Sequence, residues 1–374
     1  MQLTSNRIEV SDALECIEYC YRENMTDGLP VVPPTEQRVQ QFIAAVALSP
    51  DAIIAEIAER ASVITAEKLA INAVMAGCLP EYMPVLVAAV EALADPAFKF
   101  NHLASLGAPW PMVIVSGPMV RTLGMNHRNY LFGSGNRANA TIGRAISLLL
   151  WNCCELRPDA IQRGTLGNTG RYSCCIAENP DTAWQGLNEW EGYERSTSTV
   201  TLASGYNLCN TRTIASTPRG MLAPLVEGIN HHQYCRGCFV VTIPPPLEEQ
   251  FVAHSWTKRH VRDYLFEHCR RSVKSLKRTG TWGRSSSVVV DGAKDLAPAL
   301  PGDEERWVYL FKPNPGLDPS VFSEGAINRR VDILIVAAGG DAGTNMGFYQ
   351  PYSQSTSPVT KPIKLLRNTT YLYD

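Results

Sequence analysis

Residues 65–84 constrain the fold of this chain most, because they carry two apolar helical segments joined by the short sequence Gly-Cys-Leu-Pro. Thr65 is a suitable N-cap for the first segment, in which apolar residues recur at helical spacing. Gly77 is expected to end that helix in the left-handed conformation. Pro80 can open the next helix, because the first helical position has no amide hydrogen bond to lose. The sequence therefore predicts a helix junction around Cys78.

The junction places a thiol and a carboxylate close together in the sequence. A thiol at a helix N-terminus experiences roughly half a unit of positive charge, which favours the thiolate. Cys78 is therefore a candidate nucleophile, and Glu81 lies in the same first turn. The alternative is that Cys78 is a buried structural cysteine, since free cysteine is among the most buried residue types.

The length and charge of the chain bound what it can be. A chain of 374 residues exceeds the usual size of one domain, so two packed lobes are expected. The formal net charge of -2 leaves no broad positive field that would attract phosphates. We therefore expect neither nucleic acid nor a membrane as a partner.

The first residues lack the apolar region of a signal peptide, and no apolar run is long enough to span a membrane. A soluble cytoplasmic protein is the resulting expectation. Eleven cysteines in such a chain are more typical of reduced thiols than of a disulfide framework.

The order of the predicted elements indicates an α/β fold, with a helical N-terminal lobe packed on a mixed sheet core. Residues 1–110 form the mainly helical lobe, residues 111–374 form the α/β lobe, and the two are expected to pack as one compact unit. The helices predicted in the first lobe, besides the central pair, lie at 11–24, from Thr35 onward and at about 50–61. The strands predicted in the second lobe lie at 111–118, 171–180, 196–203, 238–246, 287–291 and 331–343, the last with a glycine-rich end.

A glycine-containing loop at 132–144 runs into a long helix and is a candidate anion site. Asn139 or Thr141 would cap the helix, and Arg137 and Arg144 stand close by. Free amides at the positive end of a helix attract carboxylates and phosphates. The glycine spacing matches neither the dinucleotide fingerprint nor a Walker loop, so no organic cofactor is expected. The alternative is an ordinary capped helix whose arginines face solvent.

Two strand ends supply further candidates for substrate binding. Glu178 and Asn179 follow the strand in 171–180, at the carboxyl end where ligands of α/β folds usually bind. Gly339 and Gly340 follow the last strand and belong to a loop of the kind that surrounds anions.

A weak metal motif combines His231, His232, Cys235 and Cys238. Thiolates and imidazoles suit zinc or iron. A structural zinc site would also show a second Cys pair or a spaced His pair, and the sequence has neither. Metal binding is therefore kept as a minor possibility.

Several long stretches carry a resemblance to one known family. They are Thr-Asp-Gly-Leu-Pro-Val-Val-Pro-Pro-Thr at 26–35, Ile-Asn-Ala-Val-Met-Ala-Gly-Cys-Leu-Pro-Glu-Tyr at 71–82, Arg-Ala-Asn-Ala-Thr-Ile-Gly-Arg-Ala at 137–145, Gly-Arg-Tyr-Ser-Cys-Cys-Ile-Ala-Glu-Asn at 170–179, the run at 255–267 and Val-Ala-Ala-Gly-Gly at 336–340. Together they resemble the large domain of the bacterial UGSC-type (seleno)proteins. That family takes its name from a segment in which selenocysteine or cysteine precedes Gly-Ser-Cys, and this chain has no Cys-Gly-Ser-Cys.

The resemblance implies a bacterial, cytoplasmic protein without naming a substrate, and it strengthens the case that Cys78 belongs to a site. Either a separate small thiol or selenol subunit supplies the missing segment, or the protein works without it. Asn72, one and a half turns before Cys78, is then expected to line the same pocket.

These observations favour an enzyme of lyase or hydrolase type that acts on a small carboxylate-bearing or otherwise anionic substrate. Cys78 would be the nucleophile or proton donor and Glu81 the acid or base, with the arginines and loop amides holding the anion. The junction, the 133–144 loop, the 178–179 turn and the 339–343 glycines would converge on one pocket. The alternatives are a non-catalytic substrate-binding subunit of a redox complex and a His/Cys metal enzyme, and a homo-oligomer is expected.

Overall fold

The computed structural model describes residues 2–104, 107–158, 160–231, 238–279, 299–311, 333–350 and 357–364. The chain divides into two units. One consists of Met1–Gly205, Ala338–Gly340 and Pro358–Asp374, and the other of Tyr206–Ala337 and Asp341–Ser357. The second unit is thus inserted into the sequence of the first. The predicted boundary near residue 110 falls inside the first unit, and the predicted strand at 287–291 lies outside the described residues.

The first unit contains a mixed four-stranded sheet, a small hairpin and most of the described helices. Its described helices are α1 (Ala13–Arg22), α2 (Glu36–Ala44), α3 (Ala66–Ala76), α4 (Met83–Leu93), α5 (Met119–Thr122), α6 (Arg137–Cys154) and α7 (Leu187–Trp190). Its described strands are β1 (Ile53–Ile57), β2 (Ser62–Thr65), β3 (Trp110–Ser116), β4 (Cys175–Ala177), β5 (Thr199–Gly205) and β12 (Val359–Pro362). The sheet has the order β12-β5-β3-β4, in which β3 and β4 are parallel and the other pairs antiparallel.

The core of this unit lies between the sheet and the helices α3, α4 and α6. The sequence of α4 is almost entirely apolar, and this helix packs on β5 and β12. Helix α3 is buried on nearly all sides and packs on α6. A helix that is apolar all round has to be enclosed in this way, because no face of it suits water.

The junction between α3 and α4 forms as its sequence predicts. The Thr65 hydroxyl accepts a hydrogen bond from the Lys68 amide at 3.3 Å, which makes Thr65 the N-cap of α3. Gly77 ends the helix with φ of 88°, in the left-handed region. Pro80 opens a 3-10 turn at Pro80–Tyr82, and α4 follows directly.

Glu67, in the first turn of α3, fixes the N-terminal segment of the chain. Its carboxylate accepts hydrogen bonds from the Thr4 amide at 2.9 Å, the Thr4 hydroxyl at 2.9 Å and the Ser5 amide at 2.8 Å. The residue is only 1% exposed. Residues 4 and 5 are therefore attached to the core helix.

Two predictions about local structure in this unit are wrong. The predicted helix at 50–61 instead contains β1 and a 3-10 turn at Ala58–Arg60, and β1 pairs with β2 in an antiparallel hairpin. Ala55 and Ile57 are buried, as alternate residues of a strand are. The cap of α6 is Asn136, whose side chain accepts from the Asn139 amide, and not Asn139 or Thr141.

The second unit contains another mixed four-stranded sheet, of order β10-β7-β11-β6, and a two-stranded pair of β8 and β9. Its described strands are β6 (Asn207–Arg212), β7 (Phe239–Ile243), β8 (Arg270–Ser272), β9 (Trp307–Tyr309), β10 (Ile333–Ala337) and β11 (Asn345–Gln350). Its described helices are α8 (Pro218–His231), α9 (Pro245–Ala253), α10 (Lys258–His268) and α11 (Val273–Arg278). Strands β10 and β7 are parallel, whereas β11 is antiparallel to both of its neighbours.

The predicted α/β class with mixed sheets is therefore confirmed in both units. Among the described helices, none has the combination of length and apolar character that crossing a bilayer requires.

Candidate functional site

A surface cleft of about 370 Å³ in the first unit contains Cys78 in its wall. Three segments form it: one side of α2 from its N-cap Thr35 to Phe42, the junction after α3, and the first residue of α6. The described lining residues are Thr35, Gln37, Arg38, Gln41, Phe42, Cys78, Leu79, Pro80 and Arg137. The junction and the start of the 137–144 helix thus meet, as the sequence suggested, but with α2 as an unforeseen third wall.

The Cys78 side chain is at the inner surface of this cleft. It is 5% exposed, and its Sγ donates a hydrogen bond to the Thr141 carbonyl at 3.3 Å. Burial raises the pKa of Cys78 to about 12, and the smaller opposing effects of the Thr141 contact, Arg137 and Arg144 do not offset it. The thiol is therefore protonated at neutral pH.

The expectation that a helix N-terminus would favour the Cys78 thiolate is thus corrected. A 3-10 turn at Pro80–Tyr82 separates Cys78 from α4, which begins only at Met83. The field of a helix end falls off within its first turn. Desolvation, which disfavours the charged form, is then the dominant effect on the thiol.

Arg137 lies at the start of α6 and contributes a positive charge to the cleft. Its Nε donates to the Gly77 carbonyl at 3.0 Å, and its Nη2 to the Cys78 carbonyl at 3.4 Å. These bonds fix the guanidinium against the junction backbone. No carboxylate pairs with Arg137 in the described part of the chain.

Arg38 contributes a second positive charge from the first turns of α2. It is exposed, and within the described residues it forms no ion pair. Thr35, the N-cap of α2, makes no side-chain capping bond, so amides at this helix end remain available. Glu36 does not line the cleft and instead pairs with Arg7 at 3.1 Å. Both the charges and the helix end therefore favour an anion here.

Arg144, in contrast, does not reach the cleft. Its guanidinium is held by the carboxylate of Asp27 in a buried ion pair. The positive charge predicted to clamp a substrate is neutralised inside the protein.

The two predicted asparagines have structural roles. Asn72 donates to the Lys68 carbonyl at 2.9 Å and accepts from the Asn152 amide at 2.8 Å, so it joins α3 to α6. Asn139 exchanges two hydrogen bonds of 2.9 Å with the Asn126 backbone. Neither lines the cleft, because both side chains are used in packing between elements.

The predicted residues at the two strand ends also lie elsewhere. Glu178 is buried, and its carboxylate accepts from the Leu187 amide at 2.5 Å, which fixes the start of α7. Asn179 accepts from the Asp181 amide at 3.0 Å within a turn. Gly339 donates from its amide to the His127 carbonyl at 3.0 Å, and a Cβ on Gly340 would lie 2.2 Å from the Asn129 side chain. The predicted convergence of these segments on Cys78 is therefore not found.

Glu81 is partly buried in the 3-10 turn beside the cleft and is not among its described lining residues. Its role as an acid or base stays a prediction.

Of the four weak metal candidates, the structure describes only His231 and Cys238, and His232 and Cys235 lie outside the described residues. His231 contacts the Glu227 carbonyl through Nδ1 at 2.8 Å, and the buried Cys238 thiol donates to the Phe239 carbonyl at 3.7 Å. Across the ranges that the structure describes, no group of three or more His, Cys, Asp or Glu side chains is arranged to hold a metal ion.

The residue that sequence reasoning missed at this site is Arg38. A signal for it exists, because Thr35 is an N-cap and Arg38 is a cation three residues into the helix. What the sequence lacks is any indication that α2 packs beside the junction.

Comparisons with protein-family models, with curated proteins and with solved structures gave no match.

Proposed function

We propose that the protein binds a small anion, such as a short carboxylate, in the cleft at Cys78. The single observation that supports this most is the lining itself. Two guanidinium groups, those of Arg38 and Arg137, share the cleft with the thiol, and no acidic residue is among the described lining residues. A carboxylate held by both arginines would occupy the same cleft that Cys78 borders.

The protonation state of the thiol favours one kind of chemistry. A thiol whose pKa is raised to about 12 is protonated at neutral pH, so it can donate a proton but is not present as the nucleophilic thiolate. In a lyase-type step, a malonate-type substrate would lose CO₂, and the electron pair of the broken C–C bond would remain on the carbon next to the second carboxylate. The thiol would donate its proton to that carbon, and the resulting thiolate would take a proton back from water, while the arginines stabilise the negative charge that develops on the second carboxylate. Hydrolysis through a covalent thioester would require the thiol to lose its proton first, and is less favoured.

The burial of the thiol also favours a second function. A sulfur that is 5% exposed and bonded to a carbonyl can be purely structural. In that case the protein is a binding subunit, and it presents the anion to a separate thiol- or selenol-bearing partner. Glu81 would then have no role in chemistry.

Binding is tested by titrating succinate and inorganic phosphate into the protein by calorimetry. Arg38→Met and Arg137→Met should each weaken binding about 10-fold or more, as expected for the loss of a charged hydrogen-bond donor. Arg128→Met is the matched control, because Arg128 is exposed and does not line the cleft. Equal binding by all four proteins would rule out the cleft as the anion site.

Chemistry is tested by incubating methylmalonate with the protein in D₂O and following by NMR the formation of propionate that carries deuterium next to its carboxylate. Product formation that is lost in Cys78→Ala, while succinate still binds, would support the lyase-type role. Binding without product formation in the wild type would instead favour the binding subunit.

A further inference from the structure

A second and larger cavity, of about 510 Å³, lies in the first unit near the end of α6. Its volume is in the range typical of sites for small organic ligands. One wall is apolar and includes the buried side chains of Leu150 and Leu156, with Trp151 beside them. Tyr172, half exposed, lies at the rim. The cavity thus offers a hydrocarbon surface together with two aromatic rings.

Arg171 also lines this cavity and contributes a positive charge to it. Its Nη2 donates to the Leu103 carbonyl, whereas its Nε is buried and has no acceptor among the described residues. No carboxylate in the described chain pairs with it. Burial lowers the pKa of Arg171 to about 10, so the group still carries its charge at neutral pH.

The side-chain amide of Gln162 also has a buried polar atom without a hydrogen-bond partner among the described residues. Gln162 lines the cavity and donates through Nε2 to the Leu103 carbonyl at 3.0 Å, while its buried Oε1 has no donor in the described ranges. One backbone carbonyl therefore holds both side chains. Both side chains line the same cavity as the apolar residues, and each has a buried polar atom without a hydrogen-bond partner among the described residues.

The charge of the cavity is that of one cation. Asp27 contributes to the lining, but both of its carboxylate oxygens accept hydrogen bonds from Arg144. The pair is neutral overall, which leaves the guanidinium of Arg171 as the net charge of the described lining. A monoanion matches this better than a phosphate dianion does.

We propose that this cavity is a binding site for a monocarboxylate with an apolar or aromatic body, whose carboxylate meets Arg171 and whose body lies against Leu150, Leu156 and Trp151. A cation that is largely withdrawn from water and has no counterion among the described residues is unfavourable, and binding of such an anion would relieve that cost.

This site is separate from the cleft at Cys78. Arg137 lines the cleft at the first residue of α6, and Trp151 lines the cavity near the last turn of the same helix. Fourteen residues at the helical rise of about 1.5 Å place the two positions about 20 Å apart along the helix. The proposal therefore does not depend on the function assigned to Cys78.

The test uses phenylacetate and hexanoate as probes, with phenylacetamide and hexanamide as uncharged controls of the same shape. At least one carboxylate should bind in calorimetry, and its amide should bind at least 10-fold more weakly. Arg171→Met should weaken carboxylate binding by about 10- to 100-fold. Arg163→Met, a change at an exposed neighbour outside the lining, should leave binding unchanged.

Trp151 gives an independent readout of position. Bound phenylacetate should change the tryptophan fluorescence of the wild type, and Trp151→Phe should lose that change while calorimetry still detects binding. The proposal is overturned if neither carboxylate binds at 10 mM, if acid and amide bind equally, or if folded Arg171→Met binds like the wild type. Circular dichroism establishes that each variant is folded.

Discussion

Arg144 and Asp27 form a two-pronged ion pair, with Nε to Oδ2 at 2.9 Å and Nη2 to Oδ1 at 2.8 Å. The same guanidinium donates to the carbonyls of Leu29 and Pro30 at 3.2 and 2.9 Å. The side chains are 15% and 7% exposed. This pair links the connector after α1, at residues 27–30, to the middle of α6. The two candidate sites lie at the two ends of that helix.

Removal of one partner should therefore destabilise the protein strongly. Arg144→Met leaves the Asp27 carboxylate buried and unpaired, and should lower the free energy of unfolding by about 3–5 kcal/mol. Urea denaturation at pH 7 measures this. The control is Arg7→Met, whose pair with Glu36 is 69% and 45% exposed and should matter by less than about 1 kcal/mol. Equally small effects of both changes would contradict the structural role of the pair.

The buried thiol of Cys78 should make stability fall at alkaline pH. Its pKa is raised to about 12, so the fold stabilises the neutral form. That stabilisation is complete below the pKa of an unfolded thiol, about 8.5, and is lost as pH rises toward 12. Between pH 9 and 11, Cys78→Ala should therefore lose about 1.4 kcal/mol less per pH unit than the wild type. Urea denaturation across this range checks the prediction, and parallel profiles would refute it.

Glu67 should have the opposite dependence on pH. Burial alone would raise its pKa, but hydrogen bonds from Thr4 and Ser5 hold the pKa below its ordinary value. Its stabilising effect is then present above the pKa of an unfolded carboxyl, about 4.3, and is lost as pH falls below it. Glu67→Gln should lower stability at pH 7 by about 1–3 kcal/mol and reduce the loss in acid. Thermal melting from pH 3 to 7, with Glu36→Gln as the exposed control, provides the measurement.

Gly143 should be intolerant of any side chain. A Cβ at this position would lie 2.4 Å from the Ser173 hydroxyl and 2.6 Å from the Cys174 amide nitrogen, so α6 approaches the backbone before β4 closely. Gly143→Ala should cost about 1–3 kcal/mol of stability through overpacking. Gly343→Ala, where nothing lies within 4 Å, should stay within about 0.5 kcal/mol of the wild type. A melting temperature unchanged in both variants would show that the contact at residue 143 relaxes freely.

Elements with strong local signals could be predicted from the sequence. Thr65, Gly77 and Pro80 act through caps and fixed backbone angles, which depend on neighbouring residues alone. The hairpin at β1 and β2 could not be predicted, because its alanines and glutamates also suit a helix. Burial of Ala55 and Ile57 against the core decides between the two.

The candidate site was predictable only where the chain is locally constrained. Cys78 and Arg137 do line one cleft, as the sequence suggested for the junction and the loop. The neutralisation of Arg144 depends on Asp27, which is 117 residues away in the chain. The orphaned donor of Arg171 depends on packing around Leu103, which no spacing in the sequence reveals.

The position of β12 has a consequence for synthesis on the ribosome. This strand completes one side of the first unit's sheet by pairing with β5, yet the whole inserted unit is translated between the two. A nascent chain that has reached Gly205 therefore displays β5 with one open edge, a surface to which other strands can add. Until β12 has been synthesised, that edge has no partner from its own unit, and another chain could pair with it.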